Sequence, residues 1–118
     1  MTREIKFRAW DIRPKKMYFG HKDGWSWFSD VYMPEDFTGE RYILMQYTGL
    51  KDKHGIEIYE GDIGRSVDEV LWEVKYDTVL ARFIGLYDGN VIEDLSEVHD
   101  SMEIIGNIYE NPELLNTK

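Results

Sequence analysis

Polar and apolar residues alternate along much of the chain, and long helical patterns are missing. Val70, Trp72, Val74 and Tyr76 fall on one face of an extended chain, and Glu73 and Lys75 fall on the other, which is the period of a strand with one buried face. Ile5–Trp10 has the same period. Tyr42–Tyr47 is apolar except at Gln46, which predicts a central strand covered on both faces. These patterns predict a mainly β protein.

Turn-forming residues divide the rest of the chain into short segments. The predicted turns are Asp11–Lys16, Thr48–Gly55, Asp77–Thr78 and Asp88–Asn90. Further strands are predicted at Met17–Phe19, Ile56–Tyr59, Ile63–Val67, Val79–Ile84, Val91–Ile92 and Met102–Tyr109. Short helices are predicted at Asp94–His99 and Asn111–Leu115, and an ordered loop over residues 20–40. Strands at this spacing favour one domain over residues 1–118, a small antiparallel barrel or sandwich with short helical segments.

Charge is distributed unevenly along the 118 residues, whose formal net charge is −9. Residues 1–22 hold seven basic and two acidic residues, a net of +5, and residues 23–118 therefore carry −14. A hairpin between Ile5 and Phe19 would expose a basic tip. Because the whole chain is acidic, direct binding to nucleic acid is disfavoured unless the basic segment forms an isolated face. The simpler interpretation is that this segment lies against acidic surface, within one chain or between copies.

Four aromatic residues lie close together in the sequence, at Trp25, Trp27, Phe28 and Tyr32. Such a group can form a stacking surface for a ligand or a base. It can also cover one end of a small core, and this second interpretation is favoured, since small domains use aromatic residues chiefly as buried area.

Most catalytic arrangements are missing from the sequence. The chain has no cysteine and its three histidines are far apart, so we predict no metal and no cofactor. No apolar run is long enough to span a membrane, and we expect a cytosolic protein.

Only Glu60 and Asp62 could form a catalytic carboxylate pair, and only if the stretch around Gly61 were extended. A corner in which the glycine allows the bend and an acid caps backbone N–H groups explains the same residues better.

Three blocks of sequence are distinctive: Arg3–Asp11, Leu44–Ile63 and Ile105–Leu115. They resemble the YopX family of phage and prophage proteins. His54 stands where that family commonly has Asn, and Gly64 where it commonly has a β-branched residue. The resemblance implies a mostly β fold, encoded by a mobile element and made in the bacterial cytoplasm, and it brings no established activity and no catalytic residues.

Three hypotheses about function follow. The leading one is a non-enzymatic accessory protein that binds protein and associates with copies of itself, since the split in charge lets copies attract each other. The second is an acidic decoy for a basic host protein that binds nucleic acid, and the third is a hydrolase using Glu60 and Asp62. The predicted interaction surface comprises Arg8, Trp10, Trp25, Trp27, Phe28, Glu60 and Asp62.

Overall fold

The computed structural model describes residues 4–19, 42–87 and 91–115. Nine strands account for most of these residues. They are β1 (Phe7–Asp11), β2 (Lys16–Phe19), β3 (Tyr42–Lys51), β4 (Glu57–Tyr59), β5 (Asp62–Arg65), β6 (Leu71–Asp77), β7 (Arg82–Tyr87), β8 (Val91–Asp94) and β9 (Glu103–Asn107). The helix α1 (Leu95–Val98) and the short 3₁₀ turns His99–Ser101 and Pro112–Leu115 complete the described elements. The predicted mainly β class with short helical segments is confirmed.

The strands form two sheets, with the orders β2-β1-β3-β4 and β8-β7-β6-β5-β9. Every pair with an assigned register is antiparallel, from β1 with β2 to β7 with β8. The chain divides into two compact units, residues 1–47 and 48–118. The predicted single domain over 1–118 stays a prediction.

In the first unit, β1 pairs with both β2 and the first part of β3. The hairpin between β1 and β2 follows the sequence prediction, because Asp11 opposes Lys16 and the residues between them form the turn. Tyr42 and Met45 are buried, whereas Leu44 is 39% exposed. The prediction that this strand is covered on both faces is therefore wrong at Leu44.

In the second unit, a core forms around Ile58, Val74, Leu95 and Met102, with Trp72 and other partly buried residues packed against it. The period-two pattern of β6 places Trp72 and Val74 on this core, as predicted. Across the β6–β7 ladder, the ring of Trp72 packs against Gly85, where an added Cβ would lie 3.3 Å from the ring.

Several predicted boundaries were wrong. The strand predicted to run through Val67 ends at Arg65, and Val67 is 73% exposed. The strand predicted from Val79 begins at Arg82. The segment after Asn111 is a 3₁₀ turn rather than an α-helix. The predicted loop at 20–40 and the turn at Asp88–Asn90 lie outside the described residues.

One helix prediction was correct. Asp94 caps α1, since its carboxylate accepts the N–H of Ser96, and the helix lasts one turn before the 3₁₀ turn follows. Across the described ranges, no helix has the length and apolar character needed to span a membrane.

Candidate interaction site

The corner between β4 and β5 contains the predicted carboxylates Glu60 and Asp62. Gly61 has φ +87°, so the backbone is bent here and the extended conformation required for a facing pair is not formed. Asp62 is 3% exposed, and its Oδ2 accepts the N–H of Tyr59 at 2.8 Å. Gly61 donates its N–H to the carbonyl of Val74 at 2.9 Å. The Asp62 carboxylate holds a turn, and the geometric condition of the hydrolase hypothesis is not met.

The loop between β3 and β4 is organised by Asp52, which is 5% exposed. Its Oδ1 accepts the N–H groups of His54 and Ile56 at 2.8 and 2.9 Å, and its Oδ2 accepts that of Ile104 at 2.9 Å. Burial alone would raise the pKa of this carboxyl, but the backbone donors of Ile104, Ile56 and His54 together hold the pKa below its usual value. The loop is thereby fixed to the edge of β9.

The segment after β9 is closed by two asparagines. The side chain of Asn107 accepts the N–H groups of Tyr109 and Glu110 and donates to the Glu110 carboxylate at 2.7 Å. Asn111 Oδ1 accepts the N–H of Asn107, and an added Cβ on Gly106 would approach that oxygen to 2.5 Å. The side chain of Asn111 therefore bonds backward to β9, in addition to preceding the 3₁₀ turn as predicted.

Four of the predicted interaction residues lie in the described ranges, and each of them is buried or half-buried. Arg8 and Trp10 in β1 are 5% and 7% exposed, so they offer little area to a partner. The Arg8 guanidinium lies 5.9 Å from the centroid of the Phe19 ring. Glu60 is half-buried. Trp25, Trp27 and Phe28 lie outside the described residues, and their predicted role stays a prediction.

Within residues 4–19, the exposed basic side chains are grouped at the tip of the β1–β2 hairpin. Arg13, Lys15 and Lys16 are all exposed there, which confirms the predicted basic tip. The turn is fixed at both ends, because Asp11 Oδ1 accepts the N–H of Arg13 at 3.1 Å and Lys15 has φ +58°. Lys16 Nζ stands 4.9 Å from the centroid of the Tyr18 ring. We call these three side chains the cationic tip. Their clustering around Pro14 was the sequence signal, although the predicted interaction surface did not include them.

The second unit is acidic, with six basic and sixteen acidic residues between Thr48 and Lys118. Among its acids, Glu103 forms an ion pair with Arg65 at 2.7 Å, and Asp94 forms one with Arg82 at 3.0 Å. The Arg65 hydrogen bond lowers the pKa of Glu103, and hydrogen bonds from Ser96 lower the pKa of Asp94. The acids classed as exposed are Asp68, Glu69, Glu93, Glu97, Asp100, Glu110 and Glu113. This unit thus presents acidic side chains complementary to the cationic tip.

The described residues form no group of side chains suited to bind a metal ion. Within residues 4–19, 42–87 and 91–115, no three His, Asp or Glu side chains are grouped as a metal site would require. His54 Nε2 lies 3.6 Å from the Glu103 carboxylate, but its side chain is 57% exposed.

Comparison with known proteins gives the family. The model of the YopX protein family matches residues 6–116, nearly the whole chain. The chain belongs to the YopX family. Protein EF1440 from Enterococcus faecalis, whose crystal structure is known, is similar at 27% identity with a TM-score of 0.62, and the match covers 97% of this chain and 99% of that one. No curated protein matches the chain.

The YopX-like blocks coincide with the hydrogen-bonded corners. Thr48 and Asp52 fix the first loop, Asp62 the second corner and Asn107 the last turn. A turn that needs a positive φ or a carboxylate acceptor restricts the residues allowed there. The residues that make the YopX pattern distinctive are, in the described region, those that shape the backbone.

The glycine at position 64, where the YopX family commonly has a β-branched residue, is explained by its packing. Gly64 faces Met102, whose Cε occupies the place that a Cβ on residue 64 would need. Met102 is 1% exposed and belongs to the core. A β-branched residue at position 64 and a methionine at position 102 exclude each other in this backbone.

Proposed function

We propose that the chain is a phage or prophage accessory protein of the bacterial cytoplasm that acts by binding protein, without catalysis, and associates with copies of itself. The observation that carries this proposal is the exposed cationic tip, held on a fixed turn, in a chain whose second unit is strongly acidic. The tip of one copy contacts exposed acidic side chains of another copy.

The tip suits this role because the backbone that carries its charges is held in one turn. The Asp11 hydrogen bond and the β1–β2 ladder fix the loop, so a contact orders less chain than it would in a mobile tail. Opposite charges on two surfaces accelerate encounter and set the orientation of the pair. A contact of this kind between exposed groups weakens with salt.

The decoy hypothesis receives less support. It needs acids arrayed on a surface, whereas several acids bond to this chain's own backbone. Asp11, Asp52, Asp62, Asp77 and Asp94 each accept at least one backbone N–H. Part of the acidic excess therefore stabilises turns and is not displayed to a partner.

Self-association is tested by sedimentation velocity and light scattering over a series of salt concentrations. Between about 0.01 and 1 M salt the Debye length falls from about 30 to about 3 Å. We expect the mean mass to fall toward the monomer over this range. The triple variant R13E/K15E/K16E should weaken association at low salt by tenfold or more.

The matched control changes the same amount of charge elsewhere. Lys51, Lys53 and Lys75 are exposed lysines of the second unit, and K51E/K53E/K75E has the same net charge as the tip variant. Equal loss of association in both variants would show that net charge, rather than the tip, controls it. A monomer at every salt concentration would overturn the proposal of self-association.

A further inference from the structure

The two edge strands of the five-stranded sheet differ in how far described side chains cap their backbone groups. β9 forms one edge, and its backbone is capped by side chains from neighbouring segments. Asp52 Oδ2 accepts the N–H of Ile104, and Asn111 Oδ1 accepts that of Asn107. Covering an edge in this way prevents the addition of another strand.

β8 forms the other edge, and no side chain of residues 4–19, 42–87 or 91–115 caps its backbone in this way. It pairs with β7 on one side, from Tyr87 opposite Val91 to Ile84 opposite Asp94. In the described part of the chain, the backbone of residues 91–93 makes no hydrogen bond beyond the β7–β8 ladder. In an antiparallel edge strand, alternate residues turn N–H and C=O groups away from the sheet. Among the described strands, β8 therefore offers a template for one more strand.

The side chains of β8 specify what kind of strand would fit. Ile92 is 45% exposed and Glu93 is exposed on the opposite face. Asp94 is already bound to Arg82 and Ser96. Because Arg82 pairs with Asp94, the charge that this edge offers to a partner is that of Glu93.

We propose that the free edge of β8 accepts an extended cationic segment of a partner protein as a sixth, antiparallel strand. Backbone hydrogen bonds supply the affinity, and alternate side chains supply the specificity. An apolar side chain opposite Ile92 and a lysine or arginine opposite Glu93 satisfy both faces. A second copy of β8 fits poorly, because it brings acidic strands together, and the same charge disfavours nucleic acid. β8 has only four residues, so the complex is of the transient class.

This inference goes beyond the proposed self-association, because none of the cationic tip residues takes part. It is therefore tested both on the wild-type chain and on R13E/K15E/K16E, in which self-association is weakened. Retained peptide binding by that variant separates the two proposals.

The probe is a synthetic peptide in which lysine and valine alternate. Binding is measured by calorimetry, and hydrogen exchange locates the site. We expect slower exchange of the amides of residues 91–94 on binding. Glu93→Lys should weaken binding tenfold or more, whereas Glu97→Lys, an equal charge change at an exposed position of α1, should weaken it much less.

Two control peptides separate strand addition from charge attraction. One alternates glutamate and valine, and we expect no binding. The other is the lysine–valine peptide with every backbone amide N-methylated, which keeps the charge and removes the donors from both strand edges; its binding should be lost. Equal binding of the methylated peptide, protection elsewhere than β8, or no binding by the lysine–valine peptide would overturn the proposal.

Discussion

Asp52 joins stretches of chain that are far apart in sequence, since Ile104 lies 52 positions beyond it. One carboxylate oxygen closes the turn to His54 and Ile56, and the other reaches the first residues of β9. An ionised carboxylate satisfies three N–H donors at once, whereas a neutral amide does not. The position therefore requires a charge although no reaction is assigned to it.

We expect Asp52→Asn to lower the free energy of unfolding at neutral pH by about 3 kcal/mol, because an NH₂ group would face backbone donors in a nearly buried site. Urea unfolding measures the loss. Asp68→Asn, which makes the same chemical change at an exposed position, should have almost no effect. Similar losses of unfolding free energy in Asp52→Asn and Asp68→Asn would contradict the structural role assigned to Asp52.

The difference in stability between the wild type and Asp52→Asn should depend on pH. Folding lowers the pKa of Asp52 below its usual value near 3.8, so its stabilising contribution is complete above the unfolded value and is lost as the pH falls through the folded value. The gap in stability between wild type and Asp52→Asn should therefore narrow below about pH 4. A gap that stays constant there would contradict this assignment.

The close approach of the Met102 side chain to Gly64 can be tested by substituting both residues. Gly64→Val should destabilise the fold by about 1–3 kcal/mol through overlap with Met102, and Met102→Ala by about 2–4 kcal/mol through a cavity. The double variant should lose less than the sum by about 1 kcal/mol or more, because the valine fills the space left by the methionine.

The control cycle combines Met102→Ala with Thr78→Gly, at an exposed position of the β6–β7 loop that shares no core contact with Met102. Its two losses should add. Additive losses for Gly64→Val and Met102→Ala would show that the two residues do not compete for one space.

Two hairpins of the molecule share one turn design. Asp11 precedes the β1–β2 loop and Asp77 precedes the β6–β7 loop, and each carboxylate accepts the N–H two residues ahead. The last loop residues, Lys15 and Ala81, have φ +58° and +55°. The tips differ in chemistry, since the first is cationic and the second exposes Val79 at 89%. The turn geometry is thus independent of what the tip displays.

This shared geometry predicts a stabilising substitution. A non-glycine residue at positive φ costs about 1 kcal/mol or more, so Ala81→Gly and Lys15→Gly should each raise the free energy of unfolding by up to about 1 kcal/mol. Thr78→Gly, in the same loop but without positive φ, should lower it by about 0.5–1 kcal/mol. Thermal unfolding measures all three, and loss of stability in Ala81→Gly would contradict the assigned turn.

Local pattern predicted the strands and missed what depends on side-chain hydrogen bonds. The alternation of β6 was sufficient because each position faces either the core or away from it. Val79–Ala81 has strand-like composition, but Asp77 takes the N–H groups of Val79 and Leu80 that a ladder would need. The basic tip follows from local charge, whereas the bond from Asp52 to Ile104 joins elements whose proximity no local pattern encodes.

Continuity of the chain bears on whether the two compact units unfold together. β3 belongs to both, since its first six residues lie in the unit that ends at Tyr47 and the rest lie in the unit that begins at Thr48. Unfolding of either unit therefore removes partners from part of one strand. This coupling favours a single cooperative transition, as expected for a small domain.

Native-state hydrogen exchange over a series of subdenaturing urea concentrations tests this expectation. Slowly exchanging amides of β1 and β6 should converge on one opening free energy with one urea dependence, because both are released only by global unfolding. Separate values for the two strands would show that residues 1–47 and 48–118 open independently.

Asp52→Asn provides a sharper comparison, because its site lies wholly in the second unit. In a cooperative molecule it lowers the protection of β1 and β6 equally, whereas with independent units β1 keeps its wild-type value.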